Sequence, residues 1–302
     1  MSLSFFKVKK WLLMITGRSV LHVNQNLGTR FVPGELCGYF NNLIEKVKKD
    51  KKEVLEEGSL PTVMMENGDR IIFPVAVFQY GLGCYDLYLS TNDLKYLNKF
   101  LELAKWAIDN QEDNGGWNNF FFIYPSNPYG AMCQGEAASL LVRAYKETND
   151  LRFLTGAKKA LDFMLNPKND LIYTPDDKSL VLLEYAGKPA VLNGWIFALF
   201  GLYDVSLIDD CAKYSVSLNN TISTLKSYLA KFDCSYWSMY DLSNRIASPF
   251  YHKLHIAQLE ALFLITKDPL FNKYTLLFKG YCKSPFKRIK AFFKKAKQKI
   301  KE

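Results

Sequence analysis

Four long segments of this 302-residue chain are apolar along most of their length, and each is followed by a segment with one polar face. The apolar ones cover 74–89, 129–147, 189–205 and 251–265. A helix that is hydrophobic all round belongs inside a domain, and an amphipathic one belongs outside it. Short polar turns separate the members of the pairs: Thr91-Asn92-Asp93-Leu94, Thr148-Asn149-Asp150-Leu151 and Thr266-Lys267-Asp268-Pro269. Thr or Asn followed by Asp is capping chemistry that starts a helix. A Tyr or Phe stands three residues before each turn (Tyr88, Tyr145, Phe263), and a degenerate copy lies around 203–210. The period of roughly 57 residues is long for a solenoid unit but natural for a helical hairpin plus a working loop. The pattern predicts a mainly α protein, an (α/α) toroid or barrel of about four helical hairpins. An irregular helical bundle is the plainer alternative.

Upstream of these helices the pattern changes. Residues 20–40 mix strand and turn character, and 41–57 form a charged, helix-prone stretch ended by Gly58. Residues 62–73 predict a β-hairpin around Asn67-Gly68, the dipeptide that supplies positive φ in a two-residue turn. The apolar run near the N-terminus, Phe5 to Ile15, is far shorter than the ~20 residues a membrane-spanning helix needs. It has no small-residue cleavage site, so it is expected to touch a membrane surface or pack on the domain. Three regions follow: an N-terminal segment (1–73) with a short helix and the hairpin, a helical body (74–282), and a basic tail (283–302).

Composition changes this picture in two places. Hydrophobic residues make up 49% and charged residues 23%, ordinary for a soluble globular protein. The six cysteines include no Cys-x-x-Cys pair, which argues against a zinc site or disulfide frame and for a reducing, cytoplasmic compartment. The formal charge of +9 resembles a nucleic-acid signature until it is located. The tail holds nine Lys or Arg against one Glu, leaving +1 for the remaining chain, so no nucleic acid is expected as partner. Within the tail, Phe286, Ile289, Phe293, Ala296 and Ile300 recur at three- and four-residue steps with lysines between. That is the pattern of a basic amphipathic helix on an anionic membrane, here the inner face; a solvated, frayed terminus or an RNA-binding arm is the alternative.

The loops joining successive hairpins carry the candidate chemistry. They are 113–125, 173–187 and 233–250, rich in Tyr, Trp and Asn, side chains that stack on sugar faces and bond hydroxyls, although most aromatics in a helical protein are core. Loops of this length in a compact domain tend to be functional. Ser248-Pro249 marks a helix entrance, which would set Tyr251, His252 and His255 near the start of the helix. Glu184-Tyr185 stands before a similar entrance at Lys188-Pro189. There is no His-x-x-x-His, no Gly-rich phosphate loop and no credible Ser-His-Asp order, and no metal site is expected.

Several motifs together carry a resemblance. They are Phe73-Pro74-Val75-Ala76-Val77-Phe78-Gln79-Tyr80-Gly81-Leu82, Gly115-Gly116-Trp117, Ala131-Met132-Cys133-Gln134-Gly135-Glu136-Ala137 and Val191-Leu192-Asn193-Gly194-Trp195 with Gly201-Leu202-Tyr203-Asp204. Downstream stand Tyr240-Asp241-Leu242 and Tyr251-His252-x-x-His255-Ile256-x-Gln258-Leu259. In this order, from about 73 to 270, the chain resembles the catalytic domain of D-glucuronyl C5-epimerases, and among them the short bacterial relatives. The resemblance implies an (α/α) barrel, no organic cofactor, and a uronate-containing polysaccharide as substrate. It places the family's catalytic tyrosines on Tyr185, Tyr240 and Tyr251 and its glutamate on Glu184. The family's arginine directly after Tyr-Asp-Leu is Ser243 here, with Arg245 two residues on.

Inverting C5 of a uronate requires a base on one face, an acid on the other, and cationic or hydrogen-bonding groups for the developing enediolate. A tyrosine base would have to be brought from ~10 to ~7, about 4 kcal/mol of anion stabilisation. Glu184 and Tyr251 are the expected proton-transfer pair. Tyr185 and Tyr240 would position the uronate or relay a proton, and Arg245 or His252 would neutralise its carboxylate. Gln134, Glu136, Asn193, Trp117, Gln79 and Tyr80 are candidate sugar ligands, and His255 is expected to orient Tyr251. His22 stands apart from any cluster. A uronate lyase sharing the first step, or a non-catalytic carbohydrate-binding toroid, would fit the same residues, and a homodimer is left open.

Overall fold

The structure, a computed structural model, describes residues 9, 13, 19, 22–50 and 53–301. Apart from Lys9 and Leu13, the apolar run at 5–15 lies outside them. The described residues are mainly helical: α1 (Ile44–Lys49), α2 (Pro74–Thr91), α3 (Leu94–Asp109), α4 (Ala131–Thr148), α5 (Leu151–Leu165), α6 (Leu192–Ser206), α7 (Ala212–Tyr228), α8 (Pro249–Thr266), α9 (Pro269–Lys283) and α10 (Pro285–Lys301). Helices α2–α3, α4–α5, α6–α7 and α8–α9 pack as four hairpins, and α4 also packs broadly on α6 and α2. The first member of each pair is the buried one. Pro74 to Leu87 of α2 and Leu192 to Val205 of α6 are buried without interruption, as their unbroken apolar sequence demands.

The turns behave as their residues predict, three times over. Asn92, Asn149 and Lys267 end α2, α4 and α8 in the left-handed conformation, with φ of 53°, 55° and 56°. Asp93, Asp150 and Asp268 then accept from Lys95, Arg152 and Leu270 backbone N–H groups at 3.1, 2.9 and 2.9 Å, satisfying donors that open α3, α5 and α9. Thr91, Thr148 and Thr266 join each pair by accepting from the Asp N–H. The degenerate copy lacks a side-chain cap on α7.

Two details differ from expectation. Helix α6 begins at Leu192 rather than Pro189, because 185–191 is held away from helical geometry by pairing with the 240–242 segment. The first hairpin forms from β1 (Thr62–Met64) and β2 (Arg70–Ile72) as predicted, but Val63 pairs with Ile71 and the loop between the strands is one residue longer than a two-residue Asn67-Gly68 turn. Only Gly68, at φ 91°, takes the positive angle. A second, unexpected hairpin joins β3 (Ile172–Tyr173) to β4 (Val181–Leu182) at the second of the long loops.

The close crossing of α4 and α6 depends on glycine. A Cβ on Gly201 would meet the Gly135 carbonyl at 2.4 Å, and one on Gly135 would meet Ala198 Cα at 2.6 Å. Further along the same two helices, Arg143 and Asp204 form a buried two-pronged ion pair at 2.6 and 3.2 Å. Arg143 also donates to the Cys37 and Gly38 carbonyls at 2.7 and 3.2 Å, tying the N-terminal segment to the helices.

Helix α10 docks through the face opposite its apolar stripe. Ala291 and Lys295 are buried, while Gln298 reaches the 244–246 loop, accepting from Ile246 N–H at 3.0 Å and donating to the Asn244 carbonyl at 2.9 Å. Phe286, Ile289 and Phe293 remain 85%, 55% and 67% exposed. No described helix is long and apolar enough to cross a membrane.

Removing one partner of a buried ion pair leaves an uncompensated charge. Asp204→Ala should therefore lower unfolding stability by about 3–5 kcal/mol in urea denaturation. The double change Arg143→Met with Asp204→Leu should recover most of that loss.

Candidate active site

Two loops and three helix starts converge at one end of the helices. Leu183 donates to Leu171 at 2.8 Å and accepts from Ala131, the first residue of α4, at 2.9 Å. Leu192, the first residue of α6, donates to the Tyr240 carbonyl at 3.0 Å, and Leu242 donates to Ala190 at 3.0 Å. These bonds lace 183–191 between α4 and the 240–242 segment. Glu184 is thereby pressed onto α6, where a Cβ on Gly194 would sit 2.3 Å from its Oε2. Tyr251 comes from the first turn of α8, which Ser248 caps by accepting the Tyr251 N–H at 3.3 Å behind Pro249.

The three tyrosines and the glutamate form one contiguous group. The Tyr185 hydroxyl interacts with the Glu184 carboxyl and with the Tyr240 hydroxyl, and Tyr240 interacts in turn with Tyr251. The Tyr240 and Tyr251 rings lie 4.9 Å apart between centroids, inclined at 59°. Phe120 and Tyr124 flank Tyr185 at 4.6 and 5.5 Å. Arg245 is ion-paired to the buried Asp241 carboxylate, and its guanidinium lies 5.3 Å from the Tyr240 ring centroid. Asp241 also accepts from the Ser243 and Arg245 N–H groups at 3.0 and 3.2 Å. Arg245, two residues later than the family pattern, is thus folded back onto the site.

Burial sets the protonation states. Burial is the main force pushing the Glu184 carboxyl from 4.5 up to about 7, opposed by the Tyr185 hydroxyl and the Arg245 charge and assisted by Asp241. The phenols of Tyr185, Tyr240 and Tyr251 all move upward, by burial first and by the Glu184 charge second. No tyrosine is tuned down towards neutrality. Of the expected pair, burial brings the Glu184 carboxyl towards neutrality and carries the Tyr251 phenol away from it.

The other predicted ligands divide. His252 is fully buried, stacked 3.7 Å on Trp237, and bonded through Nε2 to the Phe278 carbonyl at 3.1 Å. Burial holds its pKa down to about 3, so it is neutral and cannot balance a substrate carboxylate. His255 is buried and neutral too. Rather than orienting Tyr251, it shares the Ser238 hydroxyl with His252 at 2.8 and 2.7 Å, fixing the strand that leads to Tyr240. Trp117 is 1% exposed and donates to the Ala107 carbonyl at 2.9 Å; it is core. Tyr80 points towards Asp50, bonding its carboxylate at 3.1 Å. Gln79, Gln134, Glu136 and Asn193 are all at most 5% exposed. Gln79 donates to Glu136 at 2.7 Å, and Glu136 lies close enough to Glu184 to feel its charge. These four form a polar interior behind Glu184 instead of a sugar-facing surface.

Sequence reasoning missed His22, Asp241 and Tyr124. His22 sets its ring 6.1 Å from Tyr251 and 5.2 Å from Phe250; no spacing in the chain signals that approach. Asp241 could have been found, since an acid four residues before Arg245 is a pairing signal. Among the described residues no group of three or more His, Cys, Asp or Glu is placed to hold a metal ion.

Residues 111–280 match the family described as D-glucuronyl C5-epimerase C-terminus. The chain belongs to this family. It is 28% identical over 217 residues to a D-glucuronyl C5-epimerase of Caenorhabditis elegans, covering 62% of this chain and 35% of that one. It is 31% identical over 152 residues to an uncharacterized protein of Methanocaldococcus jannaschii, covering 48% and 49%. The chain thus spans between a third and a half of the curated relatives it matches. Among solved structures, an inactive variant of an alpha-1,6-mannanase of Salegentibacter sp. HEL1_6, in complex with alpha-1,6-mannotetrose, superposes with a TM-score of 0.48 at 16% identity. The superposition covers 70% of this chain and 62% of that one. The epimerase-family match includes Glu184 and all three site tyrosines.

A carboxyl whose folded pKa exceeds its unfolded one costs stability once pH passes the unfolded value. For Glu184 that cost grows between pH 4.5 and about 7 and then levels. Glu184→Gln removes it, so the variant should gain on the wild type across that window, by about 3 kcal/mol at the top. Parallel urea denaturation series at pH 4.5 and 8 measure the difference; equal offsets would show an unperturbed carboxyl.

Proposed function

We propose that this protein is a C5-epimerase of uronic acid residues in a polysaccharide, converting D-glucuronate to L-iduronate. The observation that carries the reading is the continuous group Glu184–Tyr185–Tyr240–Tyr251, which joins a carboxyl titrating near neutrality to phenols that stay protonated. An epimerase-type activity is supported at the level of the family. We take the four hairpins as an (α/α) toroid with this group at its mouth.

In this mechanism the Glu184 carboxylate removes the C5 proton, and the bond pair moves into the carboxylate as an enediolate. Arg245, whose side chain is 44% exposed beside Tyr240, faces the negative charge that builds there. Tyr251 gives its phenolic proton to C5 on the opposite face. Glu184 is then protonated and Tyr251 ionised. The Tyr185 and Tyr240 hydroxyls provide a route by which the proton returns from carboxyl to phenolate, restoring the starting state. The reaction needs no net proton from solvent, but each hydroxyl exchanges with it.

Incubation with heparosan-like polymers in D₂O, followed by proton NMR at C5, tests this directly. Deuterium should enter C5 with iduronate appearing and no ultraviolet-absorbing unsaturated product. A lyase would give that absorbance, and a binding protein would give neither signal. Glu184→Gln and Tyr251→Phe should each slow exchange by about 10²–10⁴-fold. The wild-type rate should rise with pH through about 7 as Glu184 ionises. Full exchange in Tyr251→Phe would remove that residue from the mechanism.

A peripheral membrane contact through α10 is a second, separate proposal, favoured by the exposure of Phe286, Ile289 and Phe293 amid lysines. Flotation with anionic liposomes should fall on Phe286→Ser with Phe293→Ser; unchanged flotation would dismiss it.

A further inference from the structure

A cleft of about 510 Å³ opens beside the candidate active site, and nothing in the proposed mechanism uses it. Its walls include Asp170, Ile172, Tyr173, Lys188, Tyr228 and Leu242. Two of these walls are continuations of the catalytic segments: Lys188 follows Glu184-Tyr185 by three residues, and Leu242 follows Tyr240-Asp241. The backbone bond from Leu242 to Ala190 closes the floor between them. The remaining wall is the β3–β4 hairpin, which the pattern of the sequence did not predict.

The lining combines two tyrosines with one cation, Lys188, and one acid, Asp170. Tyr173 is 54% exposed on the hairpin and offers an aromatic face, and Tyr228 offers a second. One ammonium group, Lys188, lines the cleft itself, and a second, Lys231, stands by Tyr228. Lys188 Nζ lies 5.3 Å from the Tyr124 ring centroid, and Lys231 Nζ lies 4.0 Å from that of Tyr228. Tyr124 in turn meets Tyr185 edge-on at 5.5 Å. Lys188 and Tyr124 thus link the cleft to the phenol group. The volume is within the range of small-ligand pockets, and a polymer that presents one residue to Glu184 must lay its neighbours on the rim.

Resting on the proposed epimerase reading, we propose that this cleft is a second subsite for the same polymer. It holds another uronate-bearing unit, with Lys188 against the carboxylate and Tyr173 against the ring. The subsite adds affinity for chains long enough to reach both places and does nothing for shorter ones.

The test compares wild type, Lys188→Ala, Lys188→Arg and Tyr173→Ala in C5 deuterium exchange, using heparosan disaccharides and tetrasaccharides against long heparosan chains. Both positions changed are exposed, and a urea denaturation check confirms each variant folds. The two alanine variants should raise KM for long chains about tenfold, with kcat and short-substrate kinetics held, and Lys188→Arg should restore most of the loss. Unchanged long-chain KM in both alanine variants would overturn the subsite. If the wild type exchanges no C5 proton on any chain, the epimerase reading fails by itself. The subsite is then judged by titrating the same long chains against intrinsic tryptophan and tyrosine fluorescence. Weaker binding in the alanine variants supports it, and equal binding overturns it.

Discussion

The seating of Glu184 against Gly194 is the constraint from which the rest of the site follows. A carboxyl pressed onto a helix backbone, where even a methyl group at 194 would collide with it, cannot swing out into water. Its neighbours Leu183 and Tyr185 are fixed by the backbone bonds to α4 and by contacts to Tyr240. Confinement raises its pKa, because the ionised form loses hydration that one arginine and one phenol only partly replace. The glycine at 194 is therefore a functional residue without functional atoms. It allows a close approach, and the approach sets the chemistry.

The same burial acts in opposite useful directions on different groups. It lifts Glu184 into the range where a carboxyl can give and take protons at neutral pH, and it lifts the phenols away from that range so that they remain donors. It lowers His252 and His255 until they are plain neutral hydrogen-bonding parts of the scaffold. A chemist who placed the cations first would have expected an imidazolium beside a phenolate. The site instead has one guanidinium, paired with Asp241 and laid along Tyr240, and a carboxyl brought near neutrality. Desolvation decides the assignment, and the charge partners only trim it.

How far the chain could be understood in advance follows from the range of each interaction. The Thr-x-Asp turns are local, and the structure closes all three with the hydrogen bonds their residues imply. The cap on α8 from Ser248 is local as well. What escaped was set by long-range contacts. Pro189 looks like a helix start, but the strand pairing of Val191 with Asp241 delays α6 to Leu192. Trp117 and the two histidines had the right residue types for a sugar site, and only the tertiary fold sends them inward, to Ala107, Ser238 and Phe278. His22 approaches Tyr251 from far away in sequence, beyond the reach of any periodicity.

Helix α10 shows the same limit from the other side. Its strongest sequence signal is the apolar stripe at Phe286, Ile289 and Phe293, which the pattern assigns to a membrane surface and which says nothing of the side that meets the protein. The structure rests it instead on Ala291, Lys295 and Gln298, spaced by four and three residues along the opposite side. The small Ala291 lets the helix come close, and the Gln298 amide meets both a donor and an acceptor of the 244–246 loop, which the stripe could not do. Lys295 Nζ then lies 5.9 Å from the Tyr240 ring centroid, adding a second cation on the ring that Arg245 already covers. The charge that dominates the sequence count thus reaches the site through one buried lysine.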